Sequence, residues 1–282
     1  MFFGAHVSIA GGIFNAPLNA AALGAEVFQI FTRSPHGGPA EPITDEIRGL
    51  FKQNIEHVGI PEFYVHTPYF INFASNIKSI QYGSISIVRS DLERSSQLGA
   101  KYAMTHLGSY KDLDKKEGFN RVIDGLYNVL NGYNGKTRLL IENSAGSGAV
   151  VGSSFEELSK IIYHPKLKRF DLGICYDTQH AFASGYDERN IISVQKTFSD
   201  FNKYIGTEKI KLIHCNDSMV ELNKRSDRHE HIGKGKIGRE GFRQIFSFLS
   251  SQDINYILET KHDQIKQDLE VVKRLRKEIS MK

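Results

Sequence analysis

Short apolar runs rich in β-branched and aromatic residues alternate along the chain with longer stretches whose apolar positions recur at helical spacing. The first pattern predicts strands and the second helices. Phe2–Val7 reads as a strand, followed by a Gly11-Gly12 break and an Ala-rich helix to about Leu23. Glu26–Phe31 is a second strand, and the Gly/Pro-rich stretch Ser34–Pro39 after it is a loop. A helix from about Thr44 to Val58 has Thr44 and Asp45 as cap candidates. Strands at Glu62–His66, Tyr102–His106, Arg138–Glu142, Leu172–Tyr176, Ile210–His214 and Asn255–Leu258 follow. Helical patterns separate them at about 77–98, 116–130, 154–163, 180–204 and 239–249, and a last helix covers about 264–277. A Gly/Ser-rich loop, Ser144–Ser154, follows the fifth strand, and a long polar loop, Asn216–Gly238, follows the seventh.

These are eight strand–helix units with no composition shift that marks a linker. From the third on, strands end near 66, 106, 142, 177, 214 and 259. A spacing of ~35–45 residues is that of a βα repeat in a closed barrel. The expectation is an α/β fold, a single (β/α)8 TIM barrel spanning 1–282, with its site at the C-terminal face of the strands. A doubly wound open sheet fits less well, because it gathers ligands at one crevice rather than from six consecutive strands.

Composition narrows the class. The chain has 282 residues, 40% hydrophobic and 24% charged, which suits a soluble globular protein with a large core. No apolar run approaches ~18 residues, so no membrane span is expected. The start, MFFGAHVSIAGG, has neither a basic region nor the apolar run of a secretory signal. A formal charge of +4 permits a polyanionic partner without demanding one. Cys175 and Cys215 read as buried structural thiols, and a reducing cytoplasm is the expected location.

The chemistry lies at the strand ends. In LGICYDTQHAFASG the strand pattern gives way to a helical one at Asp177, and His180 lies one turn on. Taken alone, Asp177 reads as an ordinary helix N-cap. The strands from the third to the eighth, however, end in His66, His106, Glu142, Asp177, His214 and Glu259, all imidazoles or carboxylates. His180, together with Asp227 and His229 in the long seventh loop, brings the set to nine. Nine N and O donors are enough for three metal ions and suit Zn²⁺, with Mn²⁺ acceptable at one site. Glu142, Asp177, Asp227 and Glu259 would set four negative charges in one pocket. Three divalent ions would turn that to about +2, able to hold a phosphodiester.

With these residues in view, the chain resembles the endonuclease IV family of zinc-dependent apurinic/apyrimidinic endonucleases. GAHVSIAGG, VHTPY, the LLIEN stretch, DTQHAFASGYD, HCNDS, DRHEHIGKGKIG and LET carry the resemblance, which runs through nearly the whole chain. It implies a TIM barrel holding three zinc ions. The first would lie on His66, His106 and a bridging Glu142. The second would lie on Glu142, Asp177, His214 and Glu259, and the third on His180, Asp227 and His229. The implied reaction is metal-assisted hydrolysis 5′ to an abasic site, leaving a 3′-hydroxyl and a 5′-deoxyribose phosphate, with trimming of blocked 3′ ends as a further activity. Glu142 and Glu259 are the catalytic carboxylates in this reading, and the partner is duplex DNA engaged by a monomer.

Loops at the same face would supply DNA contacts. Tyr69 and Phe70, after the Pro68 turn, form an aromatic pair suited to wedge between bases. His36 stands in Ser34-Pro35-His36-Gly37-Gly38, where family members commonly place Arg and Gln. In GKGKIG the backbone of Gly233, Gly235 and Gly238, with Lys234 or Lys236, could hold a phosphate ahead of a helix. His6 reads as hydrogen-bonding support and His231 as a competitor for the third ion. His57, His164, His262 and the basic tail Lys273–Lys282 read as solvated surface. The rival readings are a metal-dependent sugar isomerase on the same barrel and a non-catalytic, metal-stabilised DNA-binding protein.

Overall fold

The apolar runs pair as strands in sequence order. The structure is a computed structural model that describes residues 1–111 and 113–281; Asp112 and Lys282, the last residue of the basic tail, lie outside the described residues. Seven barrel strands come first: β1 (Phe3–His6), β2 (Val27–Phe31), β3 (Phe63–His66), β4 (Tyr102–Thr105), β5 (Arg138–Glu142), β6 (Gly173–Asp177) and β7 (Ile210–His214). Two short strands, β8 (Asp217–Ser218) and β9 (His229–Glu230), form an antiparallel ribbon inside the long seventh loop. The last strand, β10 (Asn255–Leu258), pairs with β7 and with β1, and so closes a parallel barrel of eight strands. This is the expected TIM barrel.

The helices form the outer layer. They are α1 (Ala16–Ala22), α2 (Asp45–Val58), α3 (Lys78–Leu98), α4 (Lys115–Leu130), α5 (Phe155–Ile162), α6 (Thr178–Ala183), α7 (Ile191–Tyr204), α8 (Gly238–Phe248) and α9 (Ile265–Ser280). Outward strand residues such as Phe28, Val65, Ile141 and Ile213 pack in one buried core with Leu92, Leu126, Phe198 and Val272 of the helices. Each such side chain contributes roughly 1.5–3 kcal/mol on burial. Thr44 caps α2, its hydroxyl accepting from the Ile47 amide at 3.2 Å. The stretch expected as helical from His180 to Tyr204 is divided between α6 and α7, because Gly185 turns the chain at φ 106°.

Strand residues alternate between the helical layer and the barrel interior. Val27, Tyr64, Met104, Leu140, Cys175, Leu212 and Ile257 point inward and pack with Tyr102 as a separate apolar floor. Gly4 occupies the same level of β1, where a Cβ would lie 1.8 Å from the Val27 carbonyl oxygen, so only glycine fits there. Everything two residues further along each strand rises above this floor, at the C-terminal rim.

The Gly/Pro-rich loop after β2 is tied down by α3. The Arg94 guanidinium donates to the carbonyls of Thr32 at 2.6 Å and Glu41 at 2.7 Å, clamping both ends of the loop. Arg33 pairs with the wholly buried Asp91 at 2.6 Å. Both cysteines are buried and free. Among the described residues no helix is long and apolar enough to cross a membrane.

Candidate metal centre

The two-residue step explains why the strand ends share one chemistry. Two residues past the floor stand His6, Gln29, His66, His106, Glu142, Asp177, His214 and Glu259, one polar side chain per strand. The six strand-end residues expected as ligands belong to this rim. His180 joins them from α6, Asp227 from the segment between β8 and β9, and His229 from the start of β9.

Glu142 lies at the centre. Its Oε2 is 3.3 Å from His66 Nε2 and 3.8 Å from His106 Nε2, and its Oε1 is 2.9 Å from His214 Nδ1. Glu259 Oε2 lies 3.2 Å from the same His214 nitrogen. Asp227 is 3.3 Å from His180 Nε2 and 3.2 Å from His229 Nε2. Donor atoms within 4.8 Å of one another group His66 with Glu142 and His214, Glu142 with Asp177, His214 and Glu259, and Asp177 with His180 and His229. Asp177 thus faces two of the expected sites at once. Glu142 Oε2 and His229 Nε2 are buried without a hydrogen-bond partner, a costly arrangement that a cation among them would relieve. The donors are imidazole and carboxylate throughout, which fits zinc.

Asp177 caps a helix and also faces the cluster. Its Oδ1 accepts from the His180 amide at 2.7 Å and caps α6. Its Oδ2 turns to the cluster, 3.8 Å from His229 Nε2.

The electrostatics follow from burial and neighbours. Burial opposes charge on Glu142, yet His214, His106 and His180 hold its carboxyl well below the usual range. Glu259 is likewise held down against burial by His214 and His66, and Asp227 by His180 and His229. Burial wins at Asp177, whose carboxyl is pushed up. The imidazoles of His180 and His229 are pushed up despite burial by the carboxylates facing them. Burial takes His106 down to about 4 and His6 down to about 3, so both are neutral at pH 7. Ionised carboxylates packed among imidazoles in a cleft mark a site built for cations.

Beside the cluster opens a cavity of about 510 Å³, lined by Tyr69, Phe70, Asn72, Ser109, Val150, His106, His180 and Asp227, among others. Tyr69 and Phe70, expected at the DNA face, are 60% and 42% exposed at its mouth. Tyr69 packs edge-on against Phe31, with ring centroids 5.1 Å apart. His36 is exposed on the loop that Arg94 clamps. Lys234 is exposed as well, its ammonium directed to Gln264.

The expected phosphate cradle in GKGKIG does not hold. The Asp217 carboxylate already accepts from the amides of Gly233, Gly235, Ile237 and Gly238, at 2.9–3.3 Å. Lys236 pairs with Glu221 at 2.7 Å. His231 does not compete for the cluster. Its Nδ1 lies 2.7 Å from Asp268 of α9, turned to the outer layer.

Sequence reasoning missed three supporting residues. Asn143 exchanges two hydrogen bonds with the Asp177 backbone, at 2.7 and 2.9 Å. Asn216 donates to Asp177 Oδ2 at 2.7 Å and accepts from the Glu259 amide at 2.9 Å. Gln29 joins His6, Glu259 and His214. Each asparagine directly follows or nearly follows a strand-end ligand, and Gln29 has inward parity two residues after Val27; those were the available signals.

A family model described as a xylose isomerase-like TIM barrel matches residues 17–277. A protein of Carboxydothermus hydrogenoformans named "Probable endonuclease 4" is 38% identical over 280 residues, covering 99% of this chain and 98% of that one. The crystal structure of endonuclease IV from Thermus thermophilus superposes with a TM-score of 0.87 at 31% identity, over 99% of this chain and 100% of that one. A D-tagatose 3-epimerase-like protein matches with a TM-score of 0.76 at 18% identity, over 100% of this chain and 99% of that one, which shows a shared fold alone.

Proposed function

The chain belongs to the endonuclease IV family, and from that premise we propose that it is a DNA-repair hydrolase that cuts the phosphodiester 5′ to abasic sites in duplex DNA with three zinc ions. The products are a 3′-hydroxyl and a 5′-deoxyribose phosphate, and the same centre trims blocked 3′ ends. The observation that carries the reading is the gathering of nine imidazoles and carboxylates around one cleft.

His66, His106 and Glu142 would hold one ion, Glu142, Asp177, His214 and Glu259 a second, and His180, Asp227 and His229 a third. When bound, such ions supply Lewis acidity and lower the pKa of coordinated water to about 7, so no side-chain base is needed. The chain's own residues orient and select. Glu142, shared by two of these groups, and Glu259 would hold their ions as carboxylate ligands. Tyr69 and Phe70 stand at the cavity mouth, where an aromatic wedge holds a kinked duplex. The cavity of about 510 Å³ beside them would receive the abasic nucleotide. His36 and Lys234 add contacts to the flanking DNA.

The sugar-isomerase reading accounts for the barrel but leaves the group His180, Asp227 and His229 without a purpose. The test is zinc analysis of the purified protein, paired with nicking of a duplex carrying one tetrahydrofuran abasic analogue. Chelation should abolish nicking and zinc should restore it. The Glu142→Ala variant should lose both zinc and nicking by more than a hundredfold. A zinc-loaded protein that converts aldoses to ketoses and leaves the duplex whole would refute the proposal.

A further inference from the structure

Six of the eight rim positions carry expected ligands, and the other two are His6 and Gln29. We propose that Gln29 is a positioning residue that decides which nitrogen of His214 faces the metals; the inference rests on the metal-centre reading above. Gln29 is wholly buried. Its Nε2 lies 2.7 Å from Glu259 Oε1 and 3.0 Å from His6 Nδ1, and its Oε1 lies 2.8 Å from His214 Nε2.

The orientation of this amide follows from its partners. A carboxylate only accepts, so the amide nitrogen must be the group that faces Glu259. The amide oxygen then faces His214 and can itself only accept. Nε2 of His214 therefore carries the hydrogen, and Nδ1 is the atom left to bind a cation. That Nδ1 sits 2.9 Å from Glu142 Oε1 and 3.2 Å from Glu259 Oε2, among the donors of two expected sites. The opposite tautomer would set two lone pairs against each other at Gln29 and point a hydrogen where the cation belongs.

Its neighbours are fixed the other way round. His66 and His180 direct Nδ1 to the main-chain carbonyls of Thr67 and Asn143, which leaves Nε2 for the cluster. A main-chain carbonyl survives substitution, whereas the partner of His214 is a side chain. Gln29 also holds the outer oxygen of Glu259, so one amide sets two ligands. Outer partners of this kind are worth about 10–100-fold in metal affinity.

The decisive measurement is the tautomeric state of the histidines in zinc-loaded protein, read by long-range ¹⁵N–¹H correlation on ¹⁵N-histidine-labelled chain. One metal-bound imidazole should carry its hydrogen on Nε2 and the others on Nδ1. In Gln29→Leu that one signature should be lost, and zinc should pass to a competing chelator at a concentration about 10–100-fold lower. Gln29→Glu keeps an acceptor for His214 Nε2 and should retain the signature while binding zinc more weakly. A wild-type spectrum in which every metal-bound histidine is protonated on Nδ1 overturns the inference, even should Gln29→Leu fail to fold. So does a Gln29→Leu protein with unchanged signature and zinc affinity. A wild-type chain that takes up no zinc overturns the metal-centre reading and this inference with it.

Discussion

Replacing Asp217 by alanine should release the loop that carries Asp227 and His229. The Asp217 carboxylate is wholly buried and accepts from five backbone amides, those of Ser218, Gly233, Gly235, Ile237 and Gly238. Two of these bonds, from Ser218 and Ile237, are buried; the three glycine amides are partly exposed. An orphaned buried amide costs ~1–3 kcal/mol, whereas an amide that water can reach loses closer to ~1 kcal/mol. The bonds are not additive, and the expected cost is about 3–6 kcal/mol. Against a whole-domain stability of ~5–15 kcal/mol this opens the segment locally rather than unfolding the barrel. Hydrogen exchange is the assay: the amides of 233–238 should exchange at least a hundredfold faster, while those of the barrel strands stay protected. The chain should also bind fewer zinc ions, because Asp227 and His229 leave the cluster. Gly235→Ala should act in the same direction, since its Cβ would lie 2.5 Å from both Asp217 Oδ1 and the Ser218 carbonyl oxygen. Protection at 233–238 within tenfold of wild type in Asp217→Ala would refute this account of the loop.

Three further outcomes are expected. Arg94→Ala removes two charge-assisted bonds from the ends of the 32–41 loop, each worth ~1.5–3 kcal/mol; fluorescence anisotropy should show several-fold weaker binding of abasic duplex with zinc content unchanged, and unaltered affinity would confine Arg94 to stability. Asp177→Asn keeps the cap on α6 and loses the charge, whereas Asp177→Ala loses both; without metal the alanine variant should be about 1 kcal/mol the less stable of the two in urea, and equal midpoints would count against the cap. Glu188 is wholly buried and its carboxyl is pushed well above the usual range by burial, with Tyr176 donating to it at 2.7 Å. The folded chain therefore keeps a proton that the unfolded chain releases near the ordinary 4.5, and stability falls by ~1.4 kcal/mol per pH unit above that value until the folded group also ionises. Glu188→Gln should gain on wild type in urea midpoint between pH 5 and 7, and a gap that does not change with pH would rule this out.

Much of the site was legible because a barrel strand has only two faces. Once Leu140 or Leu212 is taken as interior, Glu142 and His214 must rise from the same face. The chemistry of six strand ends could therefore be read along the chain. Gln29 escaped because a lone glutamine in VFQIF looks like an interruption of an apolar run. Its meaning depends on Glu259 and His214, which lie far along the sequence. The glycine-rich GKGKIG motif was read as an anion site, and it is one. Its anion is Asp217, brought to it by the turn-back of the β8–β9 ribbon, which sequence periodicity does not reveal. At Asp177 capping a helix does not compete with facing the cluster, since a carboxylate has two oxygens and each serves a different neighbour. The length of the cavity wall drawn from Ser144–Val151 could not be judged from a Gly/Ser-rich stretch that carries no period.

Closure of the barrel by β10 against β1 ties the rim cluster to the folding of the whole ring. Glu259 meets His214 through the pairing of β10 with β7, but it meets Gln29 of β2 only once β10 also pairs with β1. His66, His106 and Glu142 lie on the adjacent strand ends of β3 to β5, whereas Glu259 joins them only from β10, on the far side of β6 and β7. The outer support of the cluster is thus assembled by ring closure itself, a dependence written into connectivity.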